Sequence, residues 1–288
     1  MKDYVIRALD KEKTIRMFIA TNTNLVEKAR KIHNTSAVCT AALGRTLTAA
    51  GIMGFMLKGD KDKISMQIRG DGPIKTILAV SNRHGKVKGY VGNPSVELPT
   101  KDGKLDVGKA VGINGRIIII KDLGLKEPYI GQSKLISGEI AEDLTHYFAI
   151  SDQQPSAVAL GVLIDRDLSV KASGGYILQV LPNISEEALT KLENTLQNIE
   201  PVSQLIDKGY TPEDILDKVF GEFKMEIKEK LDISLECDCS KGRIEQALIS
   251  LGEKELKNII KEDGKAEVSC HFCNTKYQFD KEDILQIL

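Results

Sequence analysis

Two hydrophobic periods mark the first part of the chain, one typical of strands and one typical of helices. Residues 63–69 alternate between apolar and polar positions, which predicts a strand with one buried face. Residues 36–57 are instead almost continuously apolar and rich in Ala, Gly, Leu and Met, which predicts a long, mostly buried helix. The same patterns predict further strands at 14–19, 76–80, 86–91, 117–121, 158–164, 168–172 and 176–181, and further helices at 25–33 and 137–150. Because strands and helices mix without a regular βαβ alternation, we predict an α+β fold, with a mixed α/β core domain over residues 1–181.

After residue 181 the pattern becomes helical and strongly charged. Ser185 and Thr211 are typical helix caps, each followed by acidic residues in the first helical turn. Between residues 200 and 232, 14 of 33 residues are charged, well above the 28% of the whole chain. Such a segment buries only a narrow apolar stripe, so we predict a helical, charge-rich linker over residues 182–232 that opens early when its neighbour changes. A plain solvated helical linker is the alternative interpretation.

Four of the five cysteines lie in the last segment as two close pairs. Cys237 and Cys239 form a C-x-C pair, and Cys270 and Cys273 form a C-x-x-C pair after 30 intervening residues. Both sulfurs of each pair can reach one metal ion, and four thiolates suit a closed tetrahedral Zn²⁺ site with no open position for a catalytic water. Residues 233–288 contain little apolar material for a core. We therefore predict a small C-terminal zinc-binding domain that needs one Zn²⁺ per chain to fold.

The spacing alone leaves the chemistry of this site open. His271 lies inside the second pair and is an alternative imidazole ligand, although four sulfurs already complete the site. Each pair can also close on itself as a disulfide when the metal leaves, and thiolates are the form that oxidants attack, which favours a redox sensor. A structural zinc in a constitutive interaction protein and a thiol–disulfide oxidoreductase are the rival interpretations. Basic residues close in sequence, among them Arg243, can offset part of the negative charge of the four thiolates.

Composition and charge argue against several other classes of protein. The 288 residues are 42% hydrophobic and 28% charged, with a formal net charge of −1, so there is no electrostatic basis for binding nucleic acid or an anionic membrane. From residue 237 to the end, eight basic residues face ten acidic ones, which argues against a phosphate-binding zinc module. The N-terminus lacks an apolar signal segment, and no window holds ~18 uninterrupted apolar residues. We therefore expect a cytoplasmic protein whose thiols stay reduced.

The sequence contains no catalytic constellation that would indicate an enzyme. The four histidines are scattered, and neither a nucleophile elbow nor a phosphate loop is present. Residues 70–73 read as a turn and not as a nucleotide cradle. We interpret Cys39 as a small buried hydrophobe, and Glu139, Glu142 and Asp143 as the solvated start of a helix.

Several motifs accompany the four cysteines and together point to one family. In the C-terminal segment they are Cys237-x-Cys239-Ser240 with Arg243, Leu251-Gly252, Glu255-Leu256, and Cys270-x-Phe272-Cys273 ahead of Tyr277-x-Phe279. In the core they are Gln67-Ile68-Arg69-Gly70-Asp71-Gly72-Pro73, Glu127-Pro128-Tyr129-x-Gly131, Gly138-Glu139-Ile140-Ala141-Glu142-Asp143-Leu144 and Ser151-x-Gln153-Gln154-Pro155-Ser156. On these motifs the chain closely resembles the redox-regulated heat-shock holdase family, the 33 kDa chaperonins, over essentially its whole length.

The resemblance implies a chaperone that is switched by oxidation. The reduced form would be a zinc-bound monomer with little activity, its metal held by the four cysteines. Oxidation would expel the zinc and form Cys237–Cys239 and Cys270–Cys273 disulfides, unfold the C-terminal domain, destabilise the linker and favour a homodimer. The active form would hold unfolded or oxidatively damaged client proteins without ATP until reduction allows their release.

Overall fold

A computed structural model describes residues 2–287, and the chain divides into two compact units, Met1–Leu235 and Glu236–Leu288. The described strands are β1 (Tyr4–Leu9), β2 (Ile15–Thr21), β3 (Lys63–Arg69), β4 (Thr76–Asn82), β5 (Lys86–Val91), β6 (Arg116–Asp122), β7 (Tyr129–Lys134), β8 (Ser156–Ile164), β9 (Val170–Val180), β10 (Glu226–Asp232), β11 (Ser234–Leu235), β12 (Lys265–Ser269) and β13 (Lys276–Asp280). The described α-helices are α1 (Thr23–His33), α2 (Ala37–Phe55), α3 (Val107–Val111), α4 (Ala141–Ile150), α5 (Glu186–Asn198), α6 (Val202–Asp207), α7 (Pro212–Phe220), α8 (Lys241–Ile249), α9 (Glu253–Glu262) and α10 (Lys281–Gln286). The mixture of helices and sheets confirms the predicted α+β fold.

Two sheets form the first unit. The five-stranded sheet has the order β10-β1-β2-β9-β8, and the six-stranded sheet has the order β11-β5-β4-β3-β6-β7. All neighbouring strands in these two sheets are antiparallel except β11 and β5, which run parallel. Alternate side chains of both sheets pack with helix α2 in one large apolar core, so each sheet has an inner face toward α2 and an outer face away from it.

Helix α2 is the central element of this core. The Ser36 hydroxyl caps it by accepting a hydrogen bond from the Cys39 backbone N–H, and 17 of its 19 residues are buried. By length and composition alone this helix could cross a membrane, but 94% of its most apolar window is buried inside the fold. Cys39 is fully buried, as predicted, and its burial raises the pKa of the thiol.

The three linker helices, α5 to α7, pack on the outer face of the five-stranded sheet. Apolar side chains of β1, β2 and β9, among them Ile6, Met17 and Leu178, form a second core with buried side chains of these helices. Phe220 of α7 stacks edge-on against Tyr176 of β9, with 5.8 Å between ring centroids. The linker helices bury their apolar stripes against the sheet, in keeping with a segment that has little core of its own.

The end of the predicted linker differs from the expected helix. Glu226–Asp232 forms strand β10, which pairs with β1, and Ser234–Leu235 then pairs with β5 of the other sheet. The segment therefore joins an edge of each sheet and ends two residues before Cys237. Five of the seven β10 residues are charged, which hides the strand signal and is typical of an edge strand. The two compact units separate after Leu235, close to the predicted start of the cysteine domain at residue 233. The division into residues 1–181, 182–232 and 233–288 stays a prediction.

The sequence-based interpretation of the start of α4 is correct for Glu142, which is exposed, and wrong for Asp143. Asp143 is fully buried, and its carboxylate accepts hydrogen bonds from the backbone N–H groups of Ile136, Ser137 and Ile140. Glu139, which is half-buried, forms an ion pair with the half-buried Arg45 of α2. These carboxylates fix the loop before α4, so their role in the fold is structural.

The cysteine unit, Glu236–Leu288, has a much smaller core. It contains helices α8 to α10 and the hairpin β12–β13. The buried apolar side chains of this core are Leu248, Leu256, Phe279 and Ile284. The predicted break between two helices is at Gly252, whose φ of +87° is in the left-handed region that favours glycine. Four buried side chains are few for an independent fold, which agrees with the predicted need for a metal.

Candidate metal centre

The four predicted cysteines come together within the cysteine unit. Cys237 and Cys239 lie in the extended segment before α8, whose first turn is capped by the Ser240 hydroxyl. Cys270 and Cys273 lie in the turn that joins β12 to β13. That turn is closed by backbone hydrogen bonds between Cys270 N–H and Thr275 C=O and between Asn274 N–H and Cys270 C=O, 2.9 and 2.8 Å.

The distances between the sulfurs fit one tetrahedral metal ion. All four Sγ atoms lie within 4.8 Å of one another. Cys237 Sγ is 3.7 Å from Cys270 Sγ, and Cys239 Sγ is 3.3 Å from Cys273 Sγ. Sulfurs bound tetrahedrally to Zn²⁺ at about 2.3 Å would be about 3.8 Å apart, whereas disulfide sulfurs are about 2.05 Å apart. The four residues are free cysteines whose geometry and chemistry suit a metal that prefers soft thiolate ligands.

The surroundings of Cys237, Cys270 and Cys273 shift the pKa values of these three thiols in different directions. Desolvation raises the pKa of Cys237 to about 12 and also raises that of Cys270. At Cys273, desolvation is outweighed by hydrogen bonds from Thr275 and the neighbouring thiols, which leave its pKa lowered to about 7. Because only thiolates bind a metal, binding at this site would release protons and would weaken as the pH falls.

Polar groups around the sulfurs hold the cysteine segments in place. The Arg243 guanidinium donates to the Asp238 backbone carbonyl at 2.9 Å and forms an ion pair with the Asp238 carboxylate. This places a positive charge next to Cys237 and Cys239, as the sequence predicted. The Tyr277 hydroxyl donates a hydrogen bond to Cys239 Sγ at 3.1 Å, and the Thr275 hydroxyl is 3.2 Å from Cys273 Sγ.

The imidazole alternative receives no support from the geometry. His271 is exposed and does not belong to the group of side chains that converge within metal-binding distance. Sequence reasoning did not identify Thr275 and Tyr277 as contacts of the sulfurs. The signal for Tyr277 was its place in the strand pattern of 276–279, because alternation puts it on the same face as the buried Phe279.

Comparison with known proteins places this geometry in a family. The profile described as the Hsp33 protein family matches residues 3–280. The chain is 54% identical to the 33 kDa chaperonin of Alkaliphilus oremlandii, covering 99% of this chain and 95% of that protein. It is 50% identical to the 33 kDa chaperonin of Clostridioides difficile, covering 100% and 99%.

A solved structure agrees with both the fold and the family. The crystal structure of the 33 kDa chaperonin (heat shock protein 33 homolog) of Thermotoga maritima superimposes with a TM-score of 0.90 at 37% identity, over 100% of this chain and 98% of that one. The match spans both units and includes the cysteine cluster. The chain belongs to the Hsp33 family of chaperones.

Proposed function

We propose that this chaperone is a redox-regulated, ATP-independent holdase of the cytoplasm. In the reduced form Cys237, Cys239, Cys270 and Cys273 hold one Zn²⁺ per chain and the protein is an inactive monomer. Oxidation converts it into a homodimer that binds thermally unfolding and oxidatively damaged proteins and prevents their aggregation. Neither nucleic acid nor a membrane is a partner, and the protein is not an enzyme.

The observation that carries the proposal is the small core of the cysteine unit beside its cluster of four thiols. Four buried apolar side chains supply little free energy of folding, whereas a structural zinc supplies about 10–16 kcal/mol in small zinc modules. A unit of this kind folds when the thiolates hold the metal and unfolds when they cannot. The thiols that bind the metal are also the groups that an oxidant attacks.

The oxidation step balances with peroxide as the oxidant. The thiolates of Cys270 and Cys273 lose two electrons and form one S–S bond, and Cys237 and Cys239 form a second. Each hydrogen peroxide accepts two electrons and two protons and leaves as two waters. Disulfide sulfurs are poor ligands, so the oxidised residues no longer retain the metal.

The route from the cysteines to a client-binding surface follows the chain. The linker helices are followed by β10 and then by β11, which ends two residues before Cys237. We propose that unfolding of the cysteine unit loosens this segment and frees the linker helices. Their departure would expose the apolar side chains of β1, β2 and β9 that they cover.

Zinc release and chaperone activity can be measured on the same sample. The reduced chain should contain about one zinc and five free thiols per chain, and peroxide with mild heat should release the zinc and leave only the Cys39 thiol. The oxidised protein, without ATP, should suppress light scattering by a thermally unfolding client, and reductant should reverse this. Protein that releases its zinc but never suppresses aggregation would disprove the holdase.

The rival interpretations give different results in these assays. A constitutive interaction protein with a structural zinc would keep its metal in peroxide and bind clients equally in both redox states. A thiol–disulfide oxidoreductase would turn over a disulfide substrate. The holdase predicts no such turnover.

A further inference from the structure

The outer edge of β7 is the feature that neither the metal site nor the linker explains. Strand β7 is the terminal strand of the six-stranded sheet and pairs only with β6. The Leu135 N–H donates to the Gly115 carbonyl at 3.1 Å, which fixes which residues of β7 turn their backbone groups toward β6. Hydrogen-bonded and non-hydrogen-bonded pairs alternate along antiparallel strands. The backbone N–H and C=O groups of Tyr129, Gly131 and Ser133 therefore point toward β6. The backbone N–H and C=O groups of Ile130, Gln132 and Lys134 therefore point away from the sheet.

This edge lacks the usual protection of an open strand. Natural edge strands are commonly shielded by charged side chains. Strand β10, the edge of the other sheet, has five charged residues among seven, whereas β7 has only Lys134 among six. The side chain of Ile130 is 59% exposed. An apolar, accessible edge of this kind is the geometry to which an extended peptide adds as another strand.

Charge next to the edge is concentrated at one end. Arg69 of β3 lies opposite Arg116 of β6, which lies opposite Lys134 of β7. We call these three exposed side chains the basic row. No carboxylate forms an ion pair with any of them within residues 2–287. Like charges directly opposite each other are unfavourable, so an acidic group placed here would relieve the repulsion.

Exposed apolar side chains lie next to two members of the basic row, Arg116 and Lys134. A cavity of about 780 Å³ is lined by Arg116, Gln132, Lys134 and the flanking Ile113 and Ile136. Ile113 is 56% exposed and Ile136 is 52% exposed. The site thus combines unpaired strand backbone, exposed isoleucines and unneutralised cations. Charge complementarity selects an extended polypeptide with apolar residues next to acidic ones over an uncharged or basic polypeptide.

We propose that the outer edge of β7 is a strand-docking site for extended, apolar–acidic segments of client proteins. This inference rests on the proposed holdase function. It identifies a part of the client-binding surface that is accessible without release of the linker helices. A client segment would pair with the backbone of Ile130, Gln132 and Lys134 and place its carboxylates on the basic row. An isolated segment of this kind should bind the reduced protein as well, whereas suppression of aggregation still requires oxidation, which exposes the face beneath the linker helices.

The test uses a fluorescein-labelled peptide of roughly ten residues, the upper end of the usual strand length, with alternating valine and threonine followed by three acidic residues. Binding to the full, reduced chain is followed by fluorescence anisotropy. Gln132→Pro removes one outward N–H, and proline is tolerated where the N–H of an edge strand faces solvent. It should weaken binding about 3- to 10-fold, the value of one hydrogen bond. The matched variant Gln132→Ala keeps the backbone N–H and should bind as the wild type does.

A second pair of variants tests the charge without changing the backbone. Lys134→Gln should weaken binding about 2- to 5-fold, and only at low salt. Lys126→Gln removes a basic residue of the adjacent loop that is not in the basic row, and it should have no effect. A peptide with lysines in place of its acidic residues should bind more weakly than the acidic peptide.

Several results would overturn the proposal. One is that Gln132→Pro and Gln132→Ala bind the peptide equally well, and another is that the acidic and lysine peptides bind equally well. A third is that Gln132→Pro changes the oligomeric state but not peptide binding, which would make the edge a self-association site. A wild type that suppresses aggregation but does not bind the peptide overturns only the β7 site. A wild type that binds the peptide but never suppresses aggregation after oxidation overturns only the holdase function.

Discussion

The two sheets of the first unit differ most on their outer faces. The outer face of the five-stranded sheet is apolar and is covered by the linker helices, which bury side chains such as Ile6 and Met17. Within residues 2–235 no helix covers the outer face of the six-stranded sheet in this way, and Ile118 and Ile120 on β6 remain only partly buried. Polar and basic neighbours such as Gln67 and Arg116 separate these isoleucines.

The difference shows two ways in which a chaperone can hold apolar surface in water. A continuous apolar face needs a cover, and a cover that is removable can be regulated. A face whose apolar residues are diluted by charge needs no cover, and it remains accessible at all times. We therefore expect changes at the metal site to affect the covered face strongly and the uncovered face weakly.

Loss of zinc should produce the largest difference between the two faces. Cys270→Ser removes one of four ligands from a site of the kind worth about 10–16 kcal/mol. Amides of the cysteine unit near Leu248 and Phe279 should lose protection from hydrogen exchange, followed by those of the linker helices, while β3 and β6 keep theirs. Hydrogen exchange with mass spectrometry measures this for each segment.

The matched control for this variant is Cys39→Ala, which removes the fifth cysteine and should leave the zinc content and the protection of the linker helices unchanged. Linker helices that stay fully protected in Cys270→Ser, although the cysteine unit is unfolded, would contradict the proposed route from the metal to the covered face.

Loosening the cover directly should give the next largest effect. Phe220→Ala removes a fully buried ring that packs on Tyr176, and a phenylalanine truncation of this type costs about 3–5 kcal/mol. Because the loss lies at the helix–sheet contact, trypsin should cut the linker faster and an apolar dye should bind without oxidation. Ile120→Ala on the uncovered face is the control, and dye binding that rises equally in both variants would contradict the comparison.

A smaller effect is expected from the polar contact that fastens α7. The Glu213 carboxylate accepts a hydrogen bond from Tyr4 of β1 and pairs with Lys230 of β10 at 2.8 Å. Burial opposes ionisation, but these two partners outweigh it and lower the pKa of Glu213 below its usual 4.5. A lowered pKa stabilises the docked helix at neutral pH, and this contribution is lost as the pH falls below about 4.5.

Glu213→Gln should therefore weaken the protection of α7 by about 0.5–1 kcal/mol at pH 7, since the pair is half-exposed and screened. The variant should also show less of the acid-induced loss that the wild type shows, as measured by hydrogen exchange at Ile215. Glu222→Gln, which breaks an exposed pair with Lys191, should change neither value. An unchanged pH dependence in Glu213→Gln would exclude this contact as a fastener of the linker.

Features with a local sequence pattern could be predicted from the sequence, whereas features that depend on contacts between distant residues could not. The four cysteines were identified because metal-binding spacing is local and survives any uncertainty about the fold. Helix α2 was predicted because its apolar residues are almost continuous. Strand β10 was not predicted, because its pairing with β1 is a contact about 220 residues away along the chain and its charges resemble a solvated helix.

Asp143 shows the same limit at the level of one side chain. An acidic residue in the first turn of a helix usually faces water, and the sequence favoured that interpretation. Its complete burial depends on three backbone N–H groups in the preceding loop, which only the folded loop brings together. The outer edge of β7 was equally hidden, because an edge is defined by the order of the strands and not by their composition.

The smallest predicted effect concerns the basic row. Arg116 lies between Arg69 and Lys134, so Arg116→Glu replaces two repulsive neighbours with two attractive ones. Each such cross-strand change is worth about 0.2–1 kcal/mol, and the thermal midpoint should rise by a few degrees at low salt. The same variant should bind the acidic peptide more weakly, because it places a negative charge where the peptide's carboxylates dock. Lys126→Glu, with the same change in net charge outside the row, should do neither. If Arg116→Glu is more stable but binds the peptide more weakly, the repulsion within the basic row lowers stability and contributes to ligand binding. If Arg116→Glu is less stable, the row is already neutralised within the fold.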